Sequence, residues 1–169
     1  RQDSYFSDGV LDEYIEYTYA DEGTLLLKSE RYNASDQLQE TIRYTYEDGL
    51  LVRRESIGPS GDLISYHLMS YDDDGNLLSD GTYNAEEELQ TLSEYEYDQD
   101  GNRIRWNIYD GNRSLLTYTT YEYEDGLNSR IMSYSPGGRL EEYFINEYNT
   151  EGKMTATAHY NSEDKLLQT

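Results

Sequence analysis

The chain has 169 residues, 35 of them acidic and 13 basic, for a formal charge of −22, and tyrosine dominates its aromatics: 20 Tyr beside two Phe and one Trp. Such a charge repels phosphate backbones and anionic lipid surfaces, which excludes nucleic acid as a partner despite the aromatics. With no cysteine there is neither a disulfide framework nor a thiolate metal site, and no apolar stretch approaches the roughly 20 residues of a membrane-spanning helix.

Much of any packing surface is therefore amphipathic, with rings that lie against apolar neighbours while their hydroxyls reach water or a partner.

From Tyr5 onward two turn registers alternate. The first opens on Tyr5 and closes on Leu11, and it recurs as Tyr32 to Leu38, Ile57 to Leu63, Tyr83 to Leu89, Tyr109 to Leu115, Tyr134 to Leu140 and Tyr160 to Leu166. The second follows Tyr19, Tyr46, Tyr71, Tyr97, Tyr123 and Tyr148, with Gly-containing turns such as Ala20-Asp21-Glu22-Gly23, 72–76 and 98–102. Together they repeat about every 26 residues, within the range of repeat architectures. Each leucine stands eight positions before the next tyrosine of the second register, as from Leu38 to Tyr46 or Leu115 to Tyr123. An even gap places both ends on one face of a strand.

Strands are thus predicted between Leu38 and Tyr46, Leu63 and Tyr71, Leu89 and Tyr97, and Leu115 and Tyr123, each about 26 Å long. One face carries the leucines with Ile15, Tyr17 and Tyr19, then Ile42, Tyr44 and Tyr46, Tyr95 and Tyr97, Tyr121 and Tyr123. The opposite face carries Tyr14, Ile64, Tyr66, Leu68, Leu92, Leu116, Tyr118, Tyr143 and Ile145. Asp, Asn and Gly in the turns favour short connections between antiparallel neighbours. Helix has no support, and Ala85 to Leu89, its nearest candidate, occupies a turn slot. The expected fold is all-β: a single curled antiparallel β-meander of about a dozen strands with short Gly/Asp/Asn turns, forming one domain over 1–169 or a fragment of a longer array, its Leu/Tyr rows on the concave side.

The run Tyr95-Glu96-Tyr97-Asp98-Gln99-Asp100-Gly101-Asn102, with a partial copy from Tyr71 to Leu77, resembles the YD repeats of RHS-like bacterial proteins. MORN-type repeats, also Tyr- and Gly-containing hairpins, are a second resemblance. The YD resemblance implies a secreted or surface-displayed curling sheet, used as a shell or binding scaffold, with no catalytic residue. The units at Tyr46-Glu47-Asp48-Gly49 and Tyr148 to Gly152 depart from the pattern. An extracytoplasmic location, secreted, lipoprotein or otherwise anchored at the cell surface, is the expectation.

Charge placement follows the strands. Glu13, Glu16, Glu40, Glu94, Glu96, Glu122, Glu142 and Glu147 lie on the strands that end in second-register tyrosines, while Arg31, Arg53, Arg54, Arg103, Arg105 and Arg130 lie on the alternate ones. Opposite charges should therefore face each other, at about 0.2 to 1 kcal/mol per pair. A basic stripe for an anionic ligand would need Arg103, Arg105 and Arg130 on one face.

Asp72, Asp74, Asp98 and Asp100 are weak calcium candidates: aligned on an EF-hand loop through Gly75 or Gly101, neither segment has the glutamate required at the twelfth position. His67 and His159 stand far apart in the repeat, and nothing nominates a Ser-His-Asp site. Paired carboxylates for glycoside hydrolysis remain a remote alternative, since 35 acidic residues bring some pair together on any sheet. No enzyme activity and no cofactor are expected. A binding face is: Trp106, flanked by Ile104 and Ile108, with Tyr66, Tyr118 and Tyr143, are the candidate contact residues. A protein at the cell surface, met through a sheet face or an edge strand near Tyr5 or Leu166, is the first expectation, and the same edges could support self-association. A glycan held by Tyr and Trp rings is the alternative.

Overall fold

The computed structural model describes residues 1–20 and 23–169, so Asp21 and Glu22 of the first expected Gly-containing turn lie outside the described residues. Fourteen strands follow in chain order: β1 Gln2–Tyr5, β2 Leu11–Tyr19, β3 Leu26–Asn33, β4 Leu38–Glu47, β5 Leu50–Ile57, β6 Leu63–Tyr71, β7 Leu77–Asn84, β8 Leu89–Tyr97, β9 Arg103–Asp110, β10 Leu115–Glu124, β11 Leu127–Tyr134, β12 Leu140–Tyr148, β13 Met154–Asn161 and β14 Leu166–Gln168. They form one open antiparallel sheet in sequence order, with no helix among the described residues. The leucine-to-tyrosine spacing therefore located the long strands β2, β4, β6, β8, β10 and β12 to within a residue. Contacts divide the chain into two compact units, residues 1–70 with 80–90, and 71–79 with 91–169.

The turns explain why the spacing is so regular. At Asp72 the backbone N–H donates to the Asn76 carbonyl and the Gly75 N–H donates back to the Asp72 carbonyl, and the same pair recurs at Asn33, Asn84, Asp98, Asp110, Asn149 and Asn161. In each, the Asx Oδ1 also accepts from the N–H groups two and four residues on. This is the local bonding that makes Asp and Asn turn residues. Ala85 to Glu88 thus lie in a turn, with Glu87 at φ 65, and Leu89 opens β8. The shortened units close as two-residue hairpins instead: Asp48 and Gly49 at φ 50 and 84, Asp125 and Gly126 at φ 51 and 77, the paired positive values of a type I′ turn.

The long strands β2, β4, β8, β10 and β12 each meet the following strand at a bulge beside their last tyrosine, as between Glu96 and Tyr97 or Glu122 and Tyr123. Bulges leave a carbonyl outside the regular ladder. The tyrosine hydroxyls supply the donor: Tyr46 bonds the Leu26 carbonyl, Tyr97 the Leu77 carbonyl, Tyr123 the Arg103 carbonyl and Tyr148 the Asn128 carbonyl, at 2.8 to 3.0 Å.

Burial differs from the expected distribution. The Leu/Tyr rows are mostly half-buried, from Ile42 at 8% exposed to Tyr19 at 51%, whereas most of the deepest residues lie on the opposite face, three positions after a leucine: Tyr14, Thr41, Tyr66, Leu92 and Tyr143. The tyrosine rings at this position are closed by the alternate strands. Tyr14 stacks on Tyr32, Tyr66 on Tyr83, Tyr118 on Tyr134 and Tyr143 on Tyr160, with centroids 4.7 to 5.0 Å apart. We call this the stack face and the other the row face. Each such pair contributes about 0.5 to 1.5 kcal/mol beyond its buried area.

Candidate interaction surface

Of the four candidate contact residues, three sit in the stacks. Tyr66 and Tyr143 keep 6% and 5% of their surface exposed, and arginines close the other side of their rings. Arg53 lies 4.1 Å from the Tyr66 centroid, Arg105 4.1 Å from Tyr118 and Arg130 4.5 Å from Tyr143. Such rings are packing elements, and mainly their edges remain for a partner.

Trp106 faces the other way. On β9 it pairs with Tyr95 of β8 and Thr119 of β10, both on the row face. Its ring lies 6.1 Å from that of Tyr95 with 17° between planes. Arg103, one bulge away, lies 4.6 Å from the Tyr121 centroid, 5.6 Å from Tyr95 and 5.9 Å from Trp106. All four side chains are half-buried. The Trp106 Nε1 is buried without an acceptor, and burial raises the Tyr121 hydroxyl above the usual phenol range despite the nearby Arg103. The row face continues through Ile131 of β11 to Phe144 and His159, whose rings stack at 4.2 Å.

The arginines do not form a stripe: Arg103 belongs to the row face, Arg105 and Arg130 to the stack face. The expected pairing across strands holds best at Arg31, which bridges Glu13 and Glu40 at 3.3 and 3.5 Å. It also holds where Arg105 faces Glu96 at 3.8 Å, and it fails where Glu16 faces Glu30 and Lys28 faces Arg43. Sequence reasoning missed Arg103, Tyr95 and Tyr121 as companions of Trp106. The register held the signal, because Arg103 occupies the place of Leu26, Leu51 and Leu77 in the earlier units.

Asp72 and Asp98 line a cleft of about 510 Å³ together with Asp74, Asp100 and Tyr97. Both carboxylates are occupied by the turns, since the Asn76 and Asn102 amides donate to Oδ2 at 2.9 and 3.0 Å. These bonds, aided by the turn N–H groups, hold both carboxyls below the usual range. Among the described residues no three His, Cys, Asp or Glu side chains are grouped to hold a metal ion. Each histidine is held by a carboxylate across the strands, His67 Nδ1 by Asp80 at 3.0 Å and His159 Nε2 by Glu142 at 2.9 Å. No helix is long and apolar enough to cross a membrane.

No protein-family model matches the chain, and no curated protein matches it either. Solved structures do. A porin-like protein from Bacteroides uniformis ATCC 8492 is similar over 93% of this chain and 79% of its own, at 12% identity and a TM-score of 0.52. A protein of unknown function from Bacteroides fragilis NCTC 9343 matches 71% of this chain and 91% of its own, at 19% identity and a TM-score of 0.33. TcdB2-TccC3 without its hypervariable C-terminal region matches 96% of this chain over 14% of its own, at 12% identity and a TM-score of 0.24. The first likeness shows the fold, an antiparallel all-β meander built from repeats.

Proposed function

We propose that the chain is a non-catalytic, extracytoplasmic binding scaffold of the YD-repeat type that engages a protein partner through a sheet face. One observation carries the reading. Among the described residues no large side chain is fully buried, and apolar groups such as Ile64, Leu116, Ile104 and Ile145 stay 53%, 50%, 37% and 37% exposed. Exposed apolar surface of this kind marks interaction sites. The Asp72 and Asp98 carboxylates support the non-catalytic part, because their oxygens already accept from turn N–H groups and the Asn76 and Asn102 amides.

A second reading, glycan recognition, is favoured by the Tyr95 and Trp106 rings, which lie 17° from parallel. The test sets cross-linking of the purified chain in an envelope extract, read by mass spectrometry, beside a glycan array and a panel of glycoside, ester and peptide substrates. A cross-linked protein that binds again when purified, with no turnover, is the expected result. Glycan binding alone would replace the protein reading with the second, and turnover would remove both.

A further inference from the structure

Building on the scaffold reading, we propose that Arg103, Trp106, Tyr95 and Tyr121 form the hot spot of the protein-binding surface. They take an acidic side chain of an extended, otherwise basic polypeptide segment, seated beside an apolar residue of the same segment.

The repeat itself separates what the fold needs from what it does not. The position that closes the stacks holds Tyr32, Ile57, Tyr83, Tyr109, Tyr134 and Tyr160, nearly the same residue in every unit. The position of Trp106 holds Ser29, Arg54, Asp80, Trp106, Ile131 and Thr157, six different residues in six units. Six different side chains are accommodated by the same strand geometry, so packing of the repeat does not require a tryptophan there. The Arg103 position likewise holds Leu26, Leu51, Leu77, Asn128 and Met154 elsewhere.

The chemistry of the cluster points to the occupant. Trp, Tyr and Arg are the residues enriched in binding hot spots, while Lys, Asp and Glu are depleted from interface cores. Arg31, Arg53 and Arg105 each meet a carboxylate of this chain, at 3.3, 2.9 and 3.8 Å. No such ion pair joins Arg103 among the described residues, although 35 acidic residues are present. A planar guanidinium resting among rings, with no carboxylate beside it, fits a carboxylate brought by another molecule. The chain's charge of −22 adds the second requirement: a polyanion would be repelled, whereas a basic segment carrying one acidic anchor complements both the surface and the site.

The probe is a phage-displayed library of random peptides selected on the wild-type chain at physiological ionic strength. Enriched peptides should carry Asp or Glu next to an aromatic or aliphatic residue, among Lys and Arg. A synthetic peptide of that sequence should bind about tenfold more weakly to Arg103→Gln and to Trp106→Ala, about 1.4 kcal/mol each. It should bind unchanged to Arg139→Gln, the same change of charge at an exposed position just before β12, with thermal unfolding confirming that each variant is folded. Enriched peptides lacking an acid, or equal affinity for the folded Arg103→Gln variant, would overturn the hot spot while leaving the scaffold reading standing. Binding of glycans with no peptide enriched would overturn both.

Discussion

The Arg53 guanidinium covers the Tyr66 ring at 4.1 Å from thirteen positions earlier in the chain. The same offset joins Arg1 to Tyr14 at 3.6 Å, Arg105 to Tyr118 at 4.1 Å and Arg130 to Tyr143 at 4.5 Å. Where the repeat places Lys28 or Ser79 instead of arginine, the covered position holds Thr41 or Leu92 instead of tyrosine. Arginine and ring are present together or absent together, which makes the clamp one device with two parts.

That coupling is measurable at Arg53 and Tyr66. Tyr66→Ala should cost about 3 kcal/mol or more, as for other large buried rings, and Arg53→Ala about 0.5 to 1 kcal/mol. In the double variant the arginine substitution should cost nearly nothing, because its ring is gone. Urea unfolding of the four proteins closes the cycle, and simple additivity would show that the two side chains act independently.

Gly81 tests the same stack from beneath. A Cβ built there meets the Tyr83 ring at 2.9 Å, so the ring lies where a side chain would stand. Gly81→Ala should destabilise by about 1 to 3 kcal/mol through overpacking. The loss should shrink sharply when Tyr83→Ala accompanies it. Equal loss in both backgrounds would place the strain in the strand backbone.

The strand limits were legible because a turn closed by Asp or Asn and an eight-residue strand leave fixed marks in the sequence. Burial was less so. Tyr46 and Tyr66 read alike as alternating tyrosines, yet one caps a bulge carbonyl and the other is sealed between Tyr83 and Arg53. The sealing group comes from a neighbouring strand, and only the thirteen-residue offset records it. Trp106 stood out as the single tryptophan, but its companions depend on a bulge that brings Arg103 to the row face, a one-residue irregularity that alternation does not forecast.

Alkaline pH should loosen the fold only once ordinary phenols have begun to titrate, above about pH 10. Burial raises Tyr121, Tyr97 and Tyr109, and hydrogen bonds to the Asp36 and Asp164 carboxylates raise Tyr14 and Tyr143. A phenol raised in the folded state holds its proton more tightly there than in the unfolded chain. Its contribution is therefore complete below about pH 10 and lost as pH rises through the folded value. Ultraviolet titration should resolve a late class of tyrosines, and Tyr121→Phe should remove one member of it. A single class at the ordinary value, with the fold intact, would contradict this.

Acid should act on the turns with the opposite sign. The Asn76 and Asn102 amides, with turn N–H groups, hold Asp72 and Asp98 low. Folded carboxylates of this kind bind fewer protons than unfolded ones. The stability they supply is present above about pH 4 and disappears as pH falls through the folded values. Asparagine already fills the same place at Asn33, Asn84, Asn149 and Asn161, where its Oδ1 accepts the same two N–H groups. The double variant Asp72→Asn with Asp98→Asn should therefore keep the sheet, as judged by circular dichroism, yet lose less stability than the wild type between neutral pH and the acid limb. Parallel acid unfolding curves for the two proteins would mean that these carboxylates are no better held in the folded chain than in the unfolded one.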